Sequence, residues 1–134
     1  MKKIFLFSTL FVSIFTLVIS CTKHAGDVEE NIPRCTINFS SPTLSATYRN
    51  GDSIAIQATA ISTATIHGYD VIVRKLNDTT TLYFKNVHDH NDTLLINQKW
   101  KNTVTTQTNM EVELVLYLDH DGNIGRKKAS FRVQ

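Results

Sequence analysis

The sequence predicts an all-β, antiparallel sandwich of about seven strands over residues 35–134, and three observations carry that expectation. Apolar residues recur with a period of two, as in Ile54, Ile56, Ala58 and Ala60, and again in Met110, Val112, Leu114, Leu116 and Leu118. Such alternation belongs to strands with one buried and one wet face. Threonine, valine and isoleucine dominate the same runs, and their branched side chains suit pleated surfaces better than helices. Turn residues fall between the runs: Asn50-Gly51-Asp52, Asn77-Asp78 and Asp121-Gly122-Asn123.

The predicted strands are Cys35–Phe39, Ser53–Ile61, Thr65–Leu76, Thr80–Val87, Thr93–Asn97, Met110–Asp119 and Ala129–Val133. In the second, Ser53, Ala55, Gln57 and Thr59 fall on the outward side. In the sixth, Glu111, Glu113, Val115, Tyr117 and Asp119 do so, and the two glutamates read as the ordinary solvent side of a strand rather than as a catalytic pair. Arg126-Lys127-Lys128 reads as a solvated strand edge. Trp100 is expected in the core or at its rim.

Ahead of this region the chain changes character. Lys2 and Lys3 precede an apolar run, Ile4 to Ile19, that ends in Leu17-Val18-Ile19-Ser20-Cys21. The run is short for a membrane-spanning helix, which needs about 20 residues, and a secretory signal fits better. The last five residues resemble the lipobox cut by lipoprotein signal peptidase. That resemblance implies a signal peptide over 1–20, a mature chain beginning at Cys21 and lipid on its sulfur, with the membrane as a partner through the anchor. It implies a cell-envelope address, at the outer membrane. One acyl chain holds marginally and two hold stably. Residues 22–33, TKHAGDVEENIP, are polar and read as a tether, so that 21–34 link anchor to domain. At 5–6 Å × √n the tether spans roughly 20 Å.

Without residues 1–20, 114 residues remain, enough for one small domain. Dropping Lys2 and Lys3 leaves 12 basic against 12 acidic side chains. A formally neutral domain with scattered lysines lacks the basic stripe that phosphate backbones require, so no nucleic-acid partner is expected. With Cys21 lipidated, Cys35 has no partner for a disulfide within the chain, and it reads as a small buried hydrophobe.

The run Asn50-Gly51-Asp52-Ser53-Ile54-Ala55-Ile56, the later Leu118-Asp119-His120-Asp121-Gly122-Asn123 and the closing Phe131-Arg132-Val133 resemble bacterial immunoglobulin-like and fibronectin-III-like modules. With the lipobox, the chain is similar to small Bacteroidota-type lipoproteins that hold one such module. The resemblance implies an immunoglobulin-like β-sandwich with a non-catalytic binding or structural role. There is no second cysteine in the domain, so antibody-type disulfide logic does not carry over.

For chemistry, His88-Asp89-His90-Asn91-Asp92 is the most suggestive stretch. In extended backbone His88, His90 and Asp92 project to one side, and two imidazoles at i and i+2 can share a zinc-type ion. His67 or His120 would complete the shell. The plainer reading is a polar loop. Asp119, Asp121 and Asn123 open like a calcium loop, but glycine stands at the fourth place rather than the sixth and Ser130 at the twelfth, so a hairpin turn explains them better. There is no Gly-x-Ser-x-Gly elbow and no phosphate loop, so neither an enzyme nor a bound cofactor is expected. A third site is a surface patch. If Leu82 and Phe84 face the core, Tyr83 faces out and meets Tyr117 and Ile72 on a sheet shared by the third, fourth and sixth strands. That patch would receive a glycan or a protein partner. Asp52-Ser53, Asp78-Thr79 and Asp92-Thr93 resemble the short O-glycosylation acceptor of Bacteroidota.

Overall fold

The computed structural model describes residues 32–134; the expected signal peptide, Cys21 and most of the tether lie outside the described residues. Among the described residues eight strands form, β1 (Cys35–Ser41), β2 (Thr47–Tyr48), β3 (Ser53–Ile66), β4 (Gly68–Lys75), β5 (Thr81–Val87), β6 (Asn91–Lys101), β7 (Thr108–Tyr117) and β8 (Ile124–Val133). They make a three-stranded sheet, β1-β3-β6, and a five-stranded sheet, β2-β8-β7-β4-β5. The pairings are antiparallel except for the short β2–β8 contact. The expected all-β immunoglobulin-like sandwich is therefore the fold.

Alternation decides what each sheet buries. From the three-stranded sheet, Ile37, Ile54, Ile56, Ala58, Ala60, Leu94, Ile96 and Trp100 point inward. Tyr69, Val71, Val73, Met110, Val112, Leu114, Leu116 and Phe131 meet them from the five-stranded sheet. Trp100 stacks edge-on against Phe131, with ring centres 6.4 Å apart. A polar link crosses the same core: Gln98 Nε2 donates to the Tyr69 hydroxyl at 2.9 Å. At one end Asn102, almost fully buried, ties the chain together. Its Nδ2 donates to the Arg49 carbonyl and its Oδ1 accepts from the Val104 amide, both at 2.9 Å.

The outer face of the five-stranded sheet departs from the sequence expectation. Glu113 is 4% exposed, not solvent-facing. Arg74 reaches it at 3.2 Å and Arg126 at 3.4 Å, and these long side chains roof it over. Glu111 takes Lys128 at 2.9 Å. Val115, also expected outside, is buried. Of the Arg126-Lys127-Lys128 cluster, two members thus serve as counter-charges, on a stretch of β8 that β2 does not cover.

Boundaries moved for identifiable reasons. The run Thr63–Ile66, β-branched except for Ala64, continues β3 instead of opening the next strand, and the chain passes between sheets at His67. β8 starts five residues earlier than expected because Arg126, Lys127 and Lys128 interrupt the apolar period without interrupting the hydrogen bonds to β7. β2, two residues long, had no pattern to betray it.

Candidate metal centre

Three connections meet at one end of the sandwich. β3 passes to β4 at His67, β5 to β6 through His88-Asp89-His90, and β7 to β8 through the turn that holds His120. Strand register brings them together. Ile66 pairs with Asn91, which sets His67 beside His90. Gly68 pairs with Tyr117, three residues before His120, and the His67 amide donates to the Tyr117 carbonyl at 2.7 Å. Tyr69 pairs with Val87, the residue before His88.

The close approach of β4 to β5 here requires glycine. Gly68 has φ +140°, and a Cβ on it would stand 2.5 Å from the Val87 carbonyl oxygen and 3.3 Å from the His88 Cα. A side chain at this position would push apart the two segments that carry His67 and His88.

Four imidazoles converge as a result. His88 and His90 face each other through their Nε2 atoms at 2.8 Å, and their ring centres are 4.5 Å apart. His67 meets His90 edge-on at 4.9 Å and lies 4.2 Å from His120. His88, His90 and His120 are exposed and His67 half-buried. Two nitrogens at 2.8 Å share one proton, so one ring of the His88–His90 pair donates and the other accepts. The His67 Nδ1 is shut off from solvent and has no hydrogen-bond partner among the described residues. Removal from water, then the positive potential of His120 and His90, hold the His67 imidazole below its ordinary pKa of 6.5, against the opposing pull of Asp119. As the rings stand, no three imidazole, thiol or carboxylate groups among the described residues could hold a metal ion. They are a cluster and not a closed coordination shell.

The predicted third member of the site is not part of it. Asp92 is exposed in the first residues of β6 and takes no part in the ring contacts, whereas His67 and His120, named to complete the shell, both do. Asp119 is committed to its own turn. Its Oδ1 accepts from the amides of Asp121 at 3.0 Å and Asn123 at 2.9 Å, while Oδ2 accepts from Asn123 Nδ2 at 2.6 Å. Those bonds hold its carboxyl below the usual range and fix the loop that carries His120. This is the hairpin turn expected in preference to a calcium loop.

Cys35 packs beside Gly125, where any added Cβ would run into its sulfur. Burial pushes its thiol pKa up, which disfavours the reactive thiolate. The expected aromatic patch is not assembled. Tyr83 pairs with Val73 and packs against the core, whereas Phe84, 57% exposed, lies outside with its partner Ile72. The polarity of β5 is the reverse of the one expected, because its flanking residues Leu82 and Phe84 are the more apolar pair but lie on the open face. Tyr117 is on the outer face, and its hydroxyl donates to Asp70 Oδ2. Asn86 Nδ2 donates to Asp70 Oδ1 at 2.7 Å. Ile72 and Tyr117 therefore share a surface from which Tyr83 is absent.

No family model matches the chain, and no curated protein does. Among solved structures it is similar to the fibronectin(III)-like modules of Clostridium thermocellum CbhA, with 16% identity, 73% of this chain and 93% of that one covered, and a TM-score of 0.42. It is also similar to the CARDB domain of a Pyrococcus furiosus protein in complex with di-metal ions, with 13% identity, 77% and 96% coverage and a TM-score of 0.42.

Proposed function

We propose that this protein is a lipid-anchored component of the cell envelope whose β-sandwich is a non-catalytic binding module, and that the histidine end is where it binds. The observation that carries the binding end is the convergence of four imidazoles from three separate connections. Elsewhere the carboxylates of the outer sheet face are engaged by neighbouring side chains. Glu113, Glu111 and Asp70 all have partners. His88, His90 and His120, by contrast, stand exposed in the connections between strands, where a ligand can reach them. The lipobox-like Leu17–Cys21 segment supports the address, and the polar tether supports display of the domain away from the headgroups.

Two measurements on one preparation test this reading. The full chain is expected in the membrane fraction with a lipid-modified Cys21, and Cys21→Ser should move it to the soluble fraction. Material purified from those membranes is then compared, by elemental analysis and mass spectrometry, with the His88→Ala/His90→Ala variant. Different co-purifying material is expected. Retention of Cys21→Ser on the membrane overturns the anchor, and identical co-purifying material overturns the binding end.

A further inference from the structure

We infer that His67, His88, His90 and His120 together form a binding site for one divalent transition-metal ion of the zinc class. The inference rests on the reading of the histidine end as the binding end, and it names the ligand.

Geometry comes first. A tetrahedral zinc ion with Zn–N bonds of about 2.0–2.1 Å sets its ligand nitrogens about 3.3–3.4 Å apart, and the ring centres of two bound imidazoles about 5 Å apart. The His88 and His90 Nε2 atoms stand at 2.8 Å. The ring centres lie at 4.2, 4.5 and 4.9 Å. Each spacing falls a little short of the value around an ion. A metal therefore needs these pairs to part by up to about 0.8 Å, and His88 and His120, at the two ends of the row of contacts, to turn toward one centre. The proton on the donating Nε2 passes through solvent to the Nδ1 of the same ring, which keeps both imidazoles neutral, and the ion takes its place between the two Nε2 atoms.

A second observation is independent of the ring spacing. Buried polar atoms are satisfied in the great majority of cases, and an orphan calls for an explanation. The His67 Nδ1 is such an orphan, shielded in a ring that touches both His90 and His120. Rotation of that ring turns an unpaired nitrogen into a ligand. The backbone around it is already fixed by the hydrogen bond from the His67 amide to Tyr117 and by the close packing at Gly68.

Donor chemistry sets the class of ion. Neutral imidazoles suit zinc, copper and nickel, whereas calcium and magnesium take oxygen ligands. Asp119, the carboxylate that acts on His67, is occupied by its own turn, and Asp89, between His88 and His90, accepts from Asn91 Nδ2 at 2.8 Å. Since the three connections come from both sheets, the ion would also cross-link the end of the sandwich.

The test is a calorimetric titration of the full chain, in a non-chelating detergent, with zinc sulfate and separately with calcium chloride. One zinc per chain and no comparable calcium binding are expected. Loss of even an outer-shell partner weakens metal binding by about 10–100-fold. His67→Gln and His120→Gln, which keep bulk and polarity, should therefore each weaken zinc by at least about tenfold, and His88→Ala/His90→Ala by more. Circular dichroism of each variant reports whether the sheet is kept, and the glutamine variants stand in wherever an alanine variant fails to fold. Zinc binding that is absent from the parent chain, or unchanged in the double variant, overturns the inference. Co-purifying material that still depends on His88 and His90 would then leave the binding end standing with a ligand of another kind.

Discussion

Replacing Glu113 with alanine removes the one carboxylate that two arginines share on the outer face of the five-stranded sheet. Its side chain is 5% exposed, against 23% for Arg74 and 57% for Arg126. Breaking a fully buried ion pair from one side costs about 3–5 kcal/mol, because the surviving charge is left without compensation. Water reaches both arginines here and screens part of that loss, which brings the cost to about 2–3 kcal/mol. The Arg74 Nε is already buried without a partner among the described residues, so Arg74 has little to fall back on. For a domain of this size each kcal/mol moves the midpoint by about 4–8 °C, and Glu113→Ala should melt about 10–20 °C below the parent. Glu111→Ala is the control. Its partner Lys128 is half exposed, and an exposed pair contributes below about 1 kcal/mol. The assay is thermal unfolding of the full chain in detergent, followed by circular dichroism. If Glu113→Ala melts within a few degrees of the parent, or Glu111→Ala is the more damaging, the roofed-over carboxylate is not the structural element described above.

Three further outcomes are expected. Gly68→Ala combines a φ of +140° with a collision against the Val87 carbonyl; it should cost about 1–3 kcal/mol in strain and weaken zinc binding as well, and an unchanged melting point would show that β4 and β5 can separate freely. Leu116→Ala empties a fully buried core position and should cost about 2–5 kcal/mol by urea unfolding, with an unchanged m-value. The hydrogen bond to Asp70, then burial, raises the Tyr117 pKa above its ordinary value of 10.0. The folded state therefore holds this proton more tightly than the unfolded one, and that stability is present below about pH 10 and lost as pH rises through the folded value. Tyr117→Phe should flatten the alkaline decline of the melting point, and an identical decline in the variant would count against the bond.

Where one side of a strand was uniformly apolar, sequence alone placed it correctly. The inward set of β3 and the series from Met110 in β7 to Leu118 just beyond it are both in the core. Glu113 shows the limit of that logic. A glutamate on the second face of a strand is wet only if nothing covers it, and the arginines that cover this one come from β4 and β8, neighbours that no local pattern identifies. β5 failed differently. Leu82, Tyr83 and Phe84 are all apolar enough to face inward, so alternation could not choose between its two sides, and only the pairing of Tyr83 with Val73 fixes the choice. For the histidines, the i, i+2 spacing of His88 and His90 was visible. His67 and His120 could be named as completing the shell, but His67 could be set beside His90 only through register, since a strand running unbroken from Thr65 would have put it in mid-strand instead of at the crossing between sheets. Its alignment with His90 depends on Ile66 facing Asn91, a long-range pairing.

X-ray absorption at the zinc edge of the zinc-loaded full chain tests the histidine end most directly, because it reads the ligands instead of inferring them from affinity. A first shell of nitrogen at about 2.0–2.1 Å, with the outer-shell scattering of three or four imidazoles, is the result expected. A shell of oxygen ligands, or the scattering of a single imidazole, would mean that the four rings do not act together.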